Sequence, residues 1–473
     1  MNIHDLEGNQ IDFTKTLPDT YDTALLDFQQ IATEFQKEPV PEKIDEYLVL
    51  SKKLGSSVTE MKIFPKWTIE QTNILANLGV YLVTIPNVDL AENLLTALYA
   101  ILKRSSDAVR LFIDSNPGEQ LLSITQHLSI PGRRLIFQII ELFTNIPEGV
   151  KYIITTPIIT YIYNTLLELF NVLSTDKNMN SPNIDPTLDL LHVMISIARS
   201  APQGIESNIP VFFNISRNCF ENQHFRNFIK PGIEILYHLS RNLNNIIDLR
   251  IEIVKEGLFK IIIDFLSDET LRPNYIFCLH FASFFLEHID PLFVYEIAET
   301  LPIPNIIDMF MKNTSDDELT SSCLNLFINL SLISSEFLNV FIDNKNFIQK
   351  LKDLLAMGSS EIRKSSMWLV WNMLYIGMRE QQKKIFASGI FEYLEDSFYI
   401  DDQDFLIKVV INSIVRMIKS FRISGVETSE PFEQYVIQMR YYMRELVENE
   451  DPKVHKAALN FFQTYYPEYS LNT

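Results

Sequence analysis

Glycine is scarce in this chain, 13 among 473 residues, and tryptophan scarcer still, with three. So few glycines leave little room for loops that cradle phosphate. No Gly-rich nucleotide loop, no G-x-S-x-G nucleophile elbow and no HExxH occurs. Cys219, Cys278 and Cys323 are odd in number and far apart, without the paired spacing of a zinc site. They are expected to be reduced thiols packed in helices of an intracellular protein. The eight histidines are scattered singly, and His192, His238 and His280 fall inside apolar helical stretches. There they read as hydrogen-bonded structural residues. No catalytic constellation, metal set or cofactor motif is visible, so a non-enzymatic protein is expected.

Basic charge is also short: 40 Lys and Arg stand against 60 Asp and Glu, a formal charge of −20. An acidic surface repels phosphate, which argues against nucleic acid and anionic membranes. It suits a basic peptide, or serves only solubility. The segment MNIHDLEGNQ is acidic and lacks the apolar core of a signal peptide. The best membrane candidate, the uncharged run Tyr152–Leu167, is broken by Pro157, Thr160 and Asn164 and is too short to span. It reads as a buried helix pair.

What is present is a repeat. IVKEGLFKIIIDFL (253–266) and IFASGIFEYLEDSF (385–398) share a helix, a break at Gly257 or Gly389, and a second apolar helix. They lie 132 residues apart, three units of 44. The intermediate units break near Leu301, beside prolines, and near Asn344. A longer amphipathic helix closes each unit, from NLLTALYAILKRS (93–105) to FLIKVVINSIVRMIKSF (405–421). Two short helices and a longer third per ~44 residues predict an all-α armadillo (ARM/HEAT-like) right-handed solenoid of about nine to ten repeats. Residues 1–46 carry 11 acidic side chains against three lysines and read as an acidic, partly disordered arm. The solenoid is expected over 47–470, with a polar inserted loop at 171–186 and a capping repeat at 447–470.

Two of the three tryptophans fall in SSMWLVWNML, 365–374. On a helical wheel Glu361, Ser365 and Asn372 lie within about 60° of Trp368, whereas Met367, Val370, Trp371 and Leu374 share a separate apolar face. Trp371 therefore reads as core. Trp368, with an acid, a hydroxyl and an amide beside it, suits a basic extended peptide. The indole attracts a cation by about 0.5–2 kcal/mol, and the amide can bond the peptide backbone. Glu318, Ser322, Asn325 and Asn329 take the same angles one unit earlier. The plainer alternative is an ordinary polar face, with Trp368 covering a neighbouring repeat.

The stretch MWLVWNMLYIGMREQQKKIFASGIFEYLEDSF, with FLIKVVINSIVRMIKSF and the closing VENEDPKVHKAALNFFQTYYPEYS, resembles the late armadillo repeats of importin alpha (karyopherin alpha). Trp368 and Asn372 match the family's Trp-x-x-x-Asn pair, Glu380 and Gln381 its following turn, and Ile411 to Ile414 the start of its last motif. The resemblance covers about 250–470 and is architectural before that. It implies a cytoplasmic and nuclear adaptor that binds nuclear-localisation peptides through a Trp/Asn ladder. Here the Trp positions read Thr96, Glu141, His192, Glu234, Phe281, Asn325, Trp368 and Asn412. The Asn positions read Ala100, Asn145, Ser196, His238, Phe285, Asn329, Asn372 and Arg416. One complete pair remains, with Asn145 a half-match. The family's basic arm for importin beta is replaced by an acidic one, so importin beta is not expected to dock by that route. An armadillo scaffold for complex assembly or signalling is the alternative function.

Overall fold

The computed structural model describes residues 23–60, 66–176, 178, 180–200, 204–243, 249–288, 291–313, 315–423 and 430–466. Among them are helices, turns and no strand. The chain divides into two compact units, up to Ile247 and from Asp248.

Within each unit the predicted three-helix repeat is present. Ser335–Ile342, Lys345–Met357 and Ser360–Ile376 make one complete example. Its boundaries follow from local chemistry. Asn344 caps the second helix by accepting from the Phe347 N–H at 3.2 Å. Asp316 does the same for Leu319 at 3.0 Å, opening the helix Asp317–Ile333. Gly257 and Gly389 sit at the breaks with φ of 72° and 73°, where a side chain is strained. A Cβ on Gly257 would meet nothing within 4 Å. Gly257→Ala is therefore expected to cost only the left-handed strain, about 1–2 kcal/mol. A thermal melt of the variant tests this, and a neutral result would remove the conformational role of that glycine.

Third helices stack on one another. In the first unit Ile44–Glu60, Val88–Arg104, Ile130–Phe143, Ile184–Ser200 and Ile229–Asn242 pack in sequence order. In the second unit Tyr275–His288, Asp317–Ile333, Ser360–Ile376 and Asn412–Ile423 do so. No repeat buries its apolar face alone, so these contacts build the core. Aromatic side chains fill it: Phe310, Phe327, Phe341 and Phe347 lie with ring centres 5.1–5.4 Å apart. The three cysteines are buried and unpaired, and burial pushes the Cys323 thiol up to about 12.

Two expected boundaries move. The arm read as 1–46 is helical in its described part. Thr23–Glu34 is a helix, and Phe28, Ile31, Ala32 and Phe35, spaced i, i+3, i+4 and i+7, are buried. The Phe35 ring meets Tyr81 edge-on at 5.0 Å, and the Tyr81 hydroxyl donates to the Lys37 carbonyl at 2.9 Å. Residues 1–22 of that arm lie outside the described ones. The inserted loop is also shorter than 171–186. Ile158–Asp176 continues because Leu173 is buried, and Ile184–Ser200 starts early with Pro186 in its first turn, where proline is tolerated. At the other end the helix Pro452–Tyr465 is capped by Asp451, while 467–470 lie outside the described residues.

The run around Tyr152–Leu167 is a helix pair, Pro147–Thr155 and Ile158–Asp176, bent by 73°. No single helix among the described residues is long and apolar enough to cross a membrane.

Candidate functional site: the third-helix face of the second unit

The helix Ser360–Ile376 is divided as its wheel predicts. Met367, Val370, Trp371 and Leu374 are buried, and Trp371 is fully so. The Trp371 Nε1 donates to Ser397 Oγ at 3.2 Å, and its ring meets Phe391 and Phe398 near edge-on. On the other stripe Glu361 is exposed, while Ser365, Trp368 and Tyr375 are half-buried. Trp368 leans on Phe405 of the next repeat, ring centres 5.4 Å apart. It therefore covers a neighbouring repeat and faces solvent at once.

Asn372 departs from the wheel reading. It lies on the Trp368 stripe but is only 3% exposed, and its Nδ2 reaches no acceptor. Angular position on a helix does not set burial.

One repeat earlier, Glu318 and Asn325 are exposed. Asn329 is not free for a ligand, because its Nδ2 donates to the Ser283 carbonyl at 3.0 Å and to Ser283 Oγ at 2.9 Å. Ser322 Oγ donates to the Glu318 carbonyl at 2.7 Å and lies 2.8 Å from His280 Nε2. That geometry is satisfied when Nε2 carries the proton. Desolvation holds the His280 pKa below the ordinary histidine value, and Glu318 opposes it. These bonds stitch adjacent third helices together.

In the helix Tyr275–His288 the expected rung, Phe281 and Phe285, is buried at 1% and 0%. Phe285 stacks on Phe259 at 5.0 Å and tilts against Phe281 at 4.5 Å. The outward positions are one residue earlier, at the exposed His280 and the half-buried Phe284. At the last rung Asn412 and Arg416 are exposed, and the Arg416 guanidinium sits over the Tyr375 ring at 5.3 Å. Arg416 stands where the sequence places it, at the last Asn position of the ladder; its contact with Tyr375 depends on how two helices pack.

Seven of the eight predicted residues, Glu318, Asn325, Asn329, Glu361, Ser365, Trp368 and Asn372, thus lie on two neighbouring third helices. Asn145 belongs to the first unit. It is exposed in the turn after the helix Ile130–Phe143, its N–H bonded to the Leu142 carbonyl at 3.2 Å, and so is off the helical face. Glu141 on that helix has its pKa raised by burial, with His192 pulling it down. Among the described residues no cluster of three or more His, Cys, Asp or Glu could hold a metal ion.

No protein-family model and no curated protein matches this chain. Among solved structures an engineered protein matches 92% of the chain and 98% of its own, with TM-score 0.66 and 13% identity. The likeness is one of fold alone: each unit is an all-α stack of helical repeats. A designed armadillo repeat protein in complex with the peptide (KR)4 covers 53% of the chain at TM-score 0.40 and 13% identity, matched over 99% of its own length. A second designed armadillo repeat protein covers 50%, with 93% of its own length, at TM-score 0.39 and 14% identity.

Proposed function

We propose that this protein is a non-enzymatic adaptor that binds an extended segment of a partner protein along the third-helix face of its second unit. The observation that carries the reading is the stripe Glu361, Ser365, Trp368 and Tyr375, on which the buried Asn372 presents an amide donor with no acceptor. A buried donor left unpaired costs about 1–3 kcal/mol. A local opening of this face that admits a peptide carbonyl to that N–H relieves the cost. Exposed Glu318 and Glu361 on the same face favour basic side chains in the ligand.

The finer reading is import of proteins bearing a basic nuclear-localisation segment, with residence in both cytoplasm and nucleus. The second reading, a scaffold for complex assembly, is favoured by Asn329, whose amide is committed to Ser283 rather than to a ligand. Anisotropy of a fluorescent basic nuclear-localisation peptide separates the two. Under the import reading the peptide binds, and Trp368→Ala with Asn372→Ala weakens binding tenfold or more while helical circular dichroism is retained. Absence of binding to the intact protein at physiological salt eliminates import and leaves the scaffold.

A further inference from the structure

Five large apolar side chains among the described residues are at least 62% exposed, and three of them gather near the end of the second unit. Tyr399 (65%) ends the turn Glu395–Tyr399, and Ile437 (63%) and Tyr441 (62%) lie one helical turn apart on Glu430–Val447. The sequence neighbours of the two tyrosines join these elements. Phe398 stacks on the buried Tyr442 with ring centres 4.3 Å and planes 7° apart. Gln438 Nε2 adds a bond to Glu395 Oε1 at 3.3 Å. Tyr399 and Tyr441 are thus carried on a fixed base.

Both tyrosines turn to one carboxylate. The Tyr399 hydroxyl donates to Glu445 Oε2 at 3.0 Å. Hydrogen bonding to Glu445, and then its charge, hold the Tyr441 phenol above its ordinary value. A carboxylate offers about four acceptor sites, so about two remain open. The surroundings are acidic: 395–404 carries five acids and no base. Asp396, Asp402 and Asp404 are paired with Arg363, Lys364 and Lys408. Glu445 and Glu448, one turn on, are exposed and make no ion pair among the described residues. Arg444, next to Glu445 in sequence, lies about 100° around the helix from it and does not pair with it.

A lone exposed tyrosine needs no explanation. Two that converge on one unneutralised carboxylate, with an isoleucine beside them, combine aromatic surface and charge, as interface positions that anchor a basic side chain do. Arginine matches the site better than lysine, because its planar guanidinium can fill both open acceptor sites and also pack on aromatic surface. We infer that Tyr399, Tyr441 and Glu445, with Ile437, form a docking site for an arginine side chain of a partner protein. No third helix contributes to it, so it is a contact separate from the face proposed above.

Two blocked tripeptides test it, Gly-Arg-Gly and the same peptide with citrulline, which keeps the shape of the side chain and loses its charge. Each is titrated into the intact protein, and the methyl NMR signal of Ile437, assigned from its loss in Ile437→Val, is followed. The signal is expected to shift with the arginine peptide at about tenfold lower concentration than with citrulline. Glu445→Gln should remove that advantage, and Tyr399→Ala with Tyr441→Ala should weaken arginine binding about threefold or more. Trp368→Ala with Asn372→Ala should leave the titration unchanged, so this site and the third-helix face stand or fall separately. No shift, or equal shifts with both peptides, overturns the inference. Unchanged binding after loss of both tyrosines also overturns it, because an ordinary surface ion pair would then suffice. The substituted side chains are exposed, so the fold is expected to persist, and circular dichroism of each variant checks this.

Discussion

Trp371→Ala is expected to destabilise the second unit by about 3–5 kcal/mol, the range for removing a fully buried large aromatic. For a unit of this size that lowers its melting temperature by roughly 10 °C, at about 2–4 °C per kcal/mol. Two losses add together. The indole is fully buried, so truncation leaves a cavity between the helix Ser360–Ile376 and the short turns that carry Phe391 and Phe398. It also removes the Nε1–H that Ser397 Oγ accepts, at a hydroxyl with no exposure to solvent. The repeat-to-repeat bond from Ser413 Oγ to the Trp371 carbonyl at 2.9 Å goes to backbone and is retained. Trp368→Ala forfeits chiefly its contact with Phe405 and should cost about 0.5–1.5 kcal/mol. Scanning calorimetry of the two variants decides the division of roles. Similar melting temperatures for both would mean that the two tryptophans share one environment.

The repeat was legible because its punctuation is chemical. Gly257 and Gly389 occupy the left-handed region, Asn344 caps a helix with its side chain, and all three recur at one spacing. The helix Thr23–Glu34 was equally legible in the spacing of Phe28, Ile31, Ala32 and Phe35. The acidic composition around it drew the reading toward disorder. The register of Tyr275–His288 was harder. Phe277, Phe281, Phe284 and Phe285 place aromatics on both sides, so periodicity does not choose a face, and a slip of one residue rotates the rung by about 100°. Lateral bonds such as Asn329 to Ser283 were out of reach for another reason. They depend on how two helices 46 residues apart align along their axes, which one helix's own pattern does not specify. The burial of Asn372 is of the same kind.

Gly149→Ala tests a feature that propensity alone reads with the wrong sign. Gly149 lies in the first turn of Pro147–Thr155, and replacing a helical glycine by alanine ordinarily favours the helix by about 1 kcal/mol. Here a Cβ would come 2.1 Å from the Phe143 carbonyl oxygen, 2.9 Å from its carbon and 3.0 Å from Ile113 Cδ1. That oxygen ends the helix Ile130–Phe143, where it accepts the Ile146 N–H at 3.3 Å. Only three residues join the two helices, and the corner cannot open freely. Phe143 and Ile153 are fully buried, Val150 is 1% exposed, and the Gly149 N–H is itself bonded to the Ile146 carbonyl at 3.1 Å. The obstacle is backbone rather than the tip of a flexible side chain, so relief requires a shift of one whole helix against the next. Overpacking of this sort costs about 1–3 kcal/mol, which outweighs the propensity gain at all but its lower end. Urea unfolding should therefore show a lower midpoint for Gly149→Ala, with the slope unchanged. A higher midpoint would mean that the corner between the helices relaxes easily, and that close approach at Gly149 does not set the angle at which one repeat follows the last.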